Sequence, residues 1–174
     1  MGVHTSRGGR RDRRDTRVRA ALDALRRIVQ GLRLYGAQAE RRTGLSGAQL
    51  FVLQQLAEAP AQSLNELAAR THTHQSSVST VVTRLVARRL VSRRRASEDG
   101  RRIVLELTGA GHALLAGAPE TAQVRLVAAL EALPEADRQS LVDSLASLVS
   151  ALGMDHEPVT LFLEPSGGSG APPS

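Results

Sequence analysis

The chain lacks cysteine, lysine and tryptophan, and its only aromatic residues are Tyr35, Phe51 and Phe162. Without cysteine there are no disulfides, no thiolate metal sites and no thiol redox sensor, a composition compatible with a reducing cytosol. Without a set of aromatics there is no platform for stacking unpaired bases, which disfavours single-stranded DNA and RNA as partners. No apolar run reaches the length of about 18 residues needed to cross a bilayer. The N-terminal arginines are not followed by an apolar stretch, so no secretory signal is expected. The expectation is a soluble, cytoplasmic protein with no membrane partner.

What is present is arginine, and its placement is uneven. Residues 1–20 hold seven arginines against Asp12 and Asp15, and residues 84–102 hold eight against Glu98 and Asp99. The remaining residues carry a net −5, although the whole chain of 174 residues carries +6. A GC-rich genome accounts for arginine in place of lysine; it does not account for two basic patches on an acidic body. That distribution is the footprint of a polyanion binder, and with few aromatics duplex DNA is the better polyanion.

The length suits one domain with a real core. Residues 1–16 read as a disordered basic arm, and 155–174, rich in Pro, Gly and Ser, as a mostly disordered tail. From Val18 the apolar residues 18, 22, 25, 29 and 32 form a helical stripe lasting to about Arg41. After Gly44, Ser46 with Gln49 makes a capping box, and so does Ser63 with Glu66, each opening a helix. A further helix follows from about His74 to Arg88, with Val78, Val82 and Leu85 facing inward. The period then changes to two. Val91–Arg95 and the alternating Ile103, Leu105 and Leu107 read as strands around an Asp99-Gly100 turn. Thr108 can cap the next helix. Helical segments at about 109–132, kinked by Gly117 and Pro119, and at 135–152, with Pro134 at its start, complete the chain.

Two helices joined by a short turn and followed by a hairpin make a winged helix-turn-helix. The fold class is mainly α with a small β-wing. A single domain over 17–154 is expected, with a DNA-binding winged helix at 46–108 between dimerisation helices at 17–42 and 109–154. The second helix of such a motif lies in the major groove. Its face opposite the valines carries Gln75, Ser76, Ser79, Thr80 and Thr83, whose amide and hydroxyls suit base edges. A merely solvated face would mix in acids; none occurs from His74 through Ser97. Arg84, Arg88, Arg93, Arg94, Arg95 and Arg102 are expected at phosphates, and Arg101 at the hairpin tip in the minor groove. Asp99 and Gly100 would shape the wing.

Leu90-Val91-Ser92-Arg93, then Asp99-Gly100-Arg101, Val104, Leu107-Thr108 and Gly111, resembles the wing signature of the MarR family of bacterial transcription regulators. Ser79-Thr80-Val81-Val82-Thr83-Arg84-Leu85 is similar to that family's recognition helix. The resemblance implies a homodimeric repressor with interlocking terminal helices, bound to a pseudo-palindromic operator and released by a small-molecule effector. Tyr35, Arg33, Arg42, Phe51 and His112 fall where such an effector pocket could be lined. The chain departs from the family at Arg89, where glycine is common as a left-handed helix cap. Arg89 must take that conformation at a cost of ~1 kcal/mol or end the helix differently. It departs again at Gly100, where arginine is frequent.

His72 and His74 lack the third and fourth ligands that zinc requires. No metal, cofactor or catalytic residue is expected, because no nucleophile–base set and no phosphate-cradling glycine loop occurs. The alternative to a regulator is an architectural DNA-binding protein without a ligand response.

Overall fold

The computed structural model describes residues 8–95 and 103–156 of the chain, and the side chains of 8–14 and 95 are outside the description. The first helix, α1, spans Gly8–Thr43, 36 residues and about 54 Å. It therefore begins inside the segment expected to be an unstructured arm, and that expectation is corrected from Gly8 onward. Arginine is a strong helix former, and acid–base spacings such as Asp15 to Arg19 favour continuation of the helix upstream of the apolar stripe.

Gly44, at φ +67°, ends α1, its N–H donating to Glu40 O at 2.7 Å. The helix α2 (Gly47–Glu58) starts with the expected capping box. Ser46 Oγ accepts from Gln49 N, and Gln49 Oε1 accepts from Ser46 N, both at 3.2 Å. At α3 (Leu64–Arg70) only half of the expected box forms: Ser63 Oγ accepts from Glu66 N at 3.0 Å. The Glu66 carboxylate instead accepts from Gln62 N at 2.7 Å, one residue further back.

The turn into α4 (Gln75–Ala87) uses a left-handed His72, φ +51°. Thr73 N donates to Ala68 O at 3.0 Å and His72 N to Ala69 O at 3.2 Å. The far end of α4 closes in the same way through Arg89, φ +57°. Arg89 N donates to Val86 O at 2.9 Å and Leu90 N to Leu85 O at 3.0 Å. This paired closure normally uses glycine. Arg89 thus adopts the strained cap.

The strands β1 (Val91–Arg95) and β2 (Ile103–Leu107) pair antiparallel, with Val91 opposite Leu107 and Arg93 opposite Leu105. Ala61, just before α3, adds a bridge that the sequence pattern did not announce: Ala61 N donates to Leu105 O at 2.9 Å and Leu105 N to Ala61 O at 2.8 Å. The wing is thereby stitched to the helix-turn-helix.

Thr108 caps α5 (Gly109–Leu115), accepting from Gly111 N at 3.1 Å. The expected kinked helix over 109–132 is instead two helices. Pro119 has no N–H to continue the ladder, and buried Thr121 opens α6 (Ala122–Glu131) as a new N-cap. The last helix, α7 (Glu135–Ala151), has Pro134 at its N-cap.

The core lies in the winged module. Leu45, Leu50, Leu53, Leu67, Val78, Val81, Leu85, Val91 and Leu105 are sealed from solvent. Both ends of the chain are different. On α1, Val18, Leu22, Leu25, Ile28 and Val29 are exposed, Val18 by 53%. On α7, which buries no residue, Val142, Leu145, Leu148 and Val149 are exposed as well.

Candidate nucleic-acid interface

Helix α4 buries Val78, Val81, Val82 and Leu85, so the residues between them must face outward. Gln75, Ser76, Thr80 and Thr83 are exposed and Ser79 is half-buried, which places all five expected base-reading residues on or beside one accessible face. Two of the hydroxyls are engaged within the helix. Thr80 Oγ1 donates to Ser76 O at 3.2 Å and Thr83 Oγ1 to Ser79 O at 2.8 Å. With their hydrogens turned back to the helix, these threonines offer lone pairs outward, the complement of base amino groups rather than of base carbonyls.

The wing divides its arginines by strand parity. Directly opposed residues share a face, so Val91, Arg93, Leu105 and Leu107 lie on the inner face, and Ser92, Arg94, Val104 and Glu106 on the outer one. The inner face is apolar at its root, where Val91 and Leu105 are buried, and becomes basic at Arg93, where the hairpin passes beyond the core. There Arg93 and Ile103 line an open cleft of about 640 Å³ with Ser63, Asn65 and Gln75. The cleft joins the start of the recognition helix to the wing.

On the outer face Arg94 forms an ion pair with Glu106, which also accepts from Ser92 Oγ at 3.3 Å. Arg93 and Arg94, indistinguishable as a sequence run, thus have different neighbours. Arg84 is half-buried. Arg95 belongs to β1. Asp99, Gly100, Arg101 and Arg102, expected to form the wing tip and its minor-groove contact, lie outside the described residues.

Arg88, expected at a phosphate, is exposed and reaches back to the end of α1, where its Nη1 donates to Gly44 O at 2.7 Å. A cation at the carbonyl end of a long helix is favourable for the reason that a helix C-terminus carries partial negative charge.

The expected effector residues differ in their surroundings. Phe51, 2% exposed, is packed in the core, while Arg33, Arg42 and His112 are exposed and Tyr35 is half-buried. No hydrogen bond or ion pair among the described residues joins any two of these five. Tyr35 has a neighbour that the sequence pattern did not mark. Arg125 Nη1 donates to Tyr35 Oη at 3.1 Å, and its guanidinium carbon lies 4.8 Å from the ring centroid. The same guanidinium is paired with Glu120 at 2.8 Å. The signal was a single arginine in an otherwise apolar stretch of α6.

Among the described residues, no group of three or more His, Asp or Glu could hold a metal ion. No helix there is long and apolar enough to cross a membrane.

Residues 43–102, from the end of α1 through β1 to the residue before β2, match the MarR family. Solved structures share the fold. The transcriptional regulator BldR from Sulfolobus solfataricus is 23% identical, with 79% of this chain and 96% of that one covered at a TM-score of 0.50. A MarR/EmrR family transcriptional regulator from Acinetobacter sp. ADP1 is 21% identical, with 80% and 96% covered at the same TM-score of 0.50. BpsR from Bordetella bronchiseptica is 27% identical, with 72% and 90% covered, also at 0.50. No protein of curated function matches the sequence. The matched segment holds α2, α3, the recognition helix and β1, and over that segment the chain belongs to the MarR family.

Proposed function

We propose that the chain is a homodimeric regulator that binds double-stranded DNA in a sequence-specific manner and represses by occupying its operator. The observation that carries this is the acid-free exposed face of α4, Gln75, Ser76, Thr80 and Thr83, whose first residue, Gln75, lines the same cleft as Arg93. Base-edge donors and acceptors on one element and a phosphate-seeking cation on the next are the two halves of duplex recognition.

The second copy is supported by the exposed stripes. A face carrying Leu22, Leu25 and Val29 on one helix, with Leu145 and Leu148 on another, is left unburied by this subunit. These leucines are 37–45% exposed, so covering each gains about 0.6–1.3 kcal/mol, that fraction of the value for full burial. Charge adds to the fit: the start of α1 is basic, while α6 and α7 carry Glu131, Glu135, Asp137 and Asp143. In a two-fold dimer the recognition helices meet half-sites about one helical turn apart.

An effector would sit where α1, α2 and α6 meet. BpsR is described by the regulation of its DNA binding by 6-hydroxynicotinic acid. Here the buried amide oxygens of Gln54 on α2 and Gln123 on α6 have no hydrogen-bond partner among the described residues, and the Tyr35–Arg125 pair joins α1 to α6. A ligand offering N–H or O–H groups would satisfy them.

Selection of duplexes from a random pool, followed by binding titrations across salt, tests the reading. A selected sequence bound at least 1,000-fold tighter than random duplex, roughly the lower bound for specific binders, is expected. A steep salt slope with little preference would instead indicate the architectural reading. Leu22→Arg and Leu145→Arg should each convert dimers to monomers in sedimentation velocity; unaltered dimers would exclude these stripes as the interface.

A further inference from the structure

Three residues at the base of the recognition helix are tied to the elements that lead into both ends of the chain. On one side Arg88, the C-cap of α4, donates from Nη1 to Gly44 O at 2.7 Å. Its Nη2 stands 3.6 Å from where a Gly44 Cβ would be. Gly44 is the terminal turn of α1, whose other end carries the exposed apolar stripe. On the other side the Thr108 hydroxyl donates to Arg89 O at 2.7 Å, and Thr108 N donates to Leu90 O at 3.1 Å. Thr108 is the N-cap of α5 and so begins the run of helices that ends in α7. Arg89 between them holds its left-handed φ of +57°.

We infer that Arg88 is a positioning residue that sets the angle between α1 and the recognition helix, and through it the half-site spacing the dimer accepts. The inference rests on the proposed DNA-binding function. Arg88 projects from the C-terminal end of α4, whereas a helix-turn-helix meets base edges with the N-terminal turns of this helix. Its Nη1 donates to the carbonyl of Gly44, the residue that follows α1. In a two-fold dimer any change in that angle enters twice, once per subunit, so a small loosening at Gly44 broadens the distance between the two recognition helices.

The experiment uses the full-length protein and the duplex that the wild type selects from a random pool, together with versions carrying one base pair inserted or deleted between half-sites. Arg88→Met keeps the aliphatic stem and removes the hydrogen bond; Arg88→Lys keeps a donor. Arg88→Met should weaken binding to the correctly spaced duplex about tenfold, the scale of one charge-assisted hydrogen bond. It should also narrow the gap between correct and altered spacings, with the salt slope unchanged and Arg88→Lys largely restored. A phosphate contact predicts otherwise: the log–log salt slope falls by about 0.9 per contact on each subunit while the spacing preference stays intact. That result, or an unchanged spacing preference with an unchanged slope, overturns the inference. If Arg88→Met fails to fold, Arg88→Gln carries the same comparison. If the wild type selects no sequence, the proposed function itself fails, and this inference with it.

Discussion

Replacing Gly111 with alanine asks for a single methyl group at the junction of the wing and α5. A Cβ built there falls well inside van der Waals contact with Leu90 O, 3.3 Å from Leu90 C and 3.2 Å from Leu107 Cδ2. Leu107 Cδ2 can rotate away, but the carbonyl cannot. It accepts from Thr108 N at 3.1 Å and sits in the turn that closes α4. To restore ordinary contact, α5 or the root of β1 must move, breaking one of those bonds or stretching it. Overpacking of this kind costs about 1–3 kcal/mol, and more where the neighbour is backbone. For a chain of this size each kcal/mol lowers the melting temperature by about 2–4 °C. Gly111→Ala should therefore melt roughly 2–12 °C lower and lose affinity for duplex DNA, because the wing root shifts with Leu90. Gly109→Ala is the control: it lies in the same helix, its Cβ meets nothing within 4 Å, and it should melt at or slightly above the wild-type temperature. Differential scanning calorimetry on the two variants decides the matter. Equal melting temperatures would refute the close-approach argument.

Arg89→Gly should stabilise the protein. Removing a left-handed non-glycine residue recovers roughly 1–2 kcal/mol, and the added chain entropy of glycine returns about 0.5–1 of it, so a rise of a few degrees in melting temperature is expected and a fall would contradict it. On the wing, Arg93→Ala should reduce the log–log salt slope of DNA binding by about 0.9 per subunit. Arg94→Ala should reduce it by less, because Glu106 already neutralises that charge. Equal reductions would show that strand parity does not sort the two arginines.

Local chemistry made much of the fold legible. The capping box at Ser46 and Gln49, the change from helical to alternating periodicity at Val91 and the strained cap at Arg89 are all signals carried within a few residues. So is the exposed face of α4, since the spacing of Val78, Val82 and Leu85 leaves only one other side. Gly111 was recognisable only as part of a pattern; the carbonyl of Leu90 supplies its physical reason.

What escaped the sequence depends on distant partners or on weak local preferences. Arg88 finds Gly44 across 44 positions, Arg125 finds Tyr35 across 90, and Ala61 finds Leu105 in a bridge of one residue. No periodicity encodes such meetings. The left-handed His72 has no glycine or asparagine to advertise it. The break between α5 and α6 was hidden because Pro119 alone reads as a kink, and only the cap at Thr121 turns a kink into two helices. At the start of α1, glycines and alternating charges suggested an open chain where arginine's helix propensity prevailed.

The length of α1 gives the Gly44 end a mechanical meaning. A rod of about 54 Å converts each degree of rotation at one end into about 1 Å of travel at the other. The guanidinium of Arg88 grips that rod at its pivot, where displacements are smallest and one hydrogen bond can still resist them. At Leu22, roughly 30 Å from that pivot, each degree still becomes about 0.5 Å of travel. The helix is an amplifier of angle, and its gain is set by residue count.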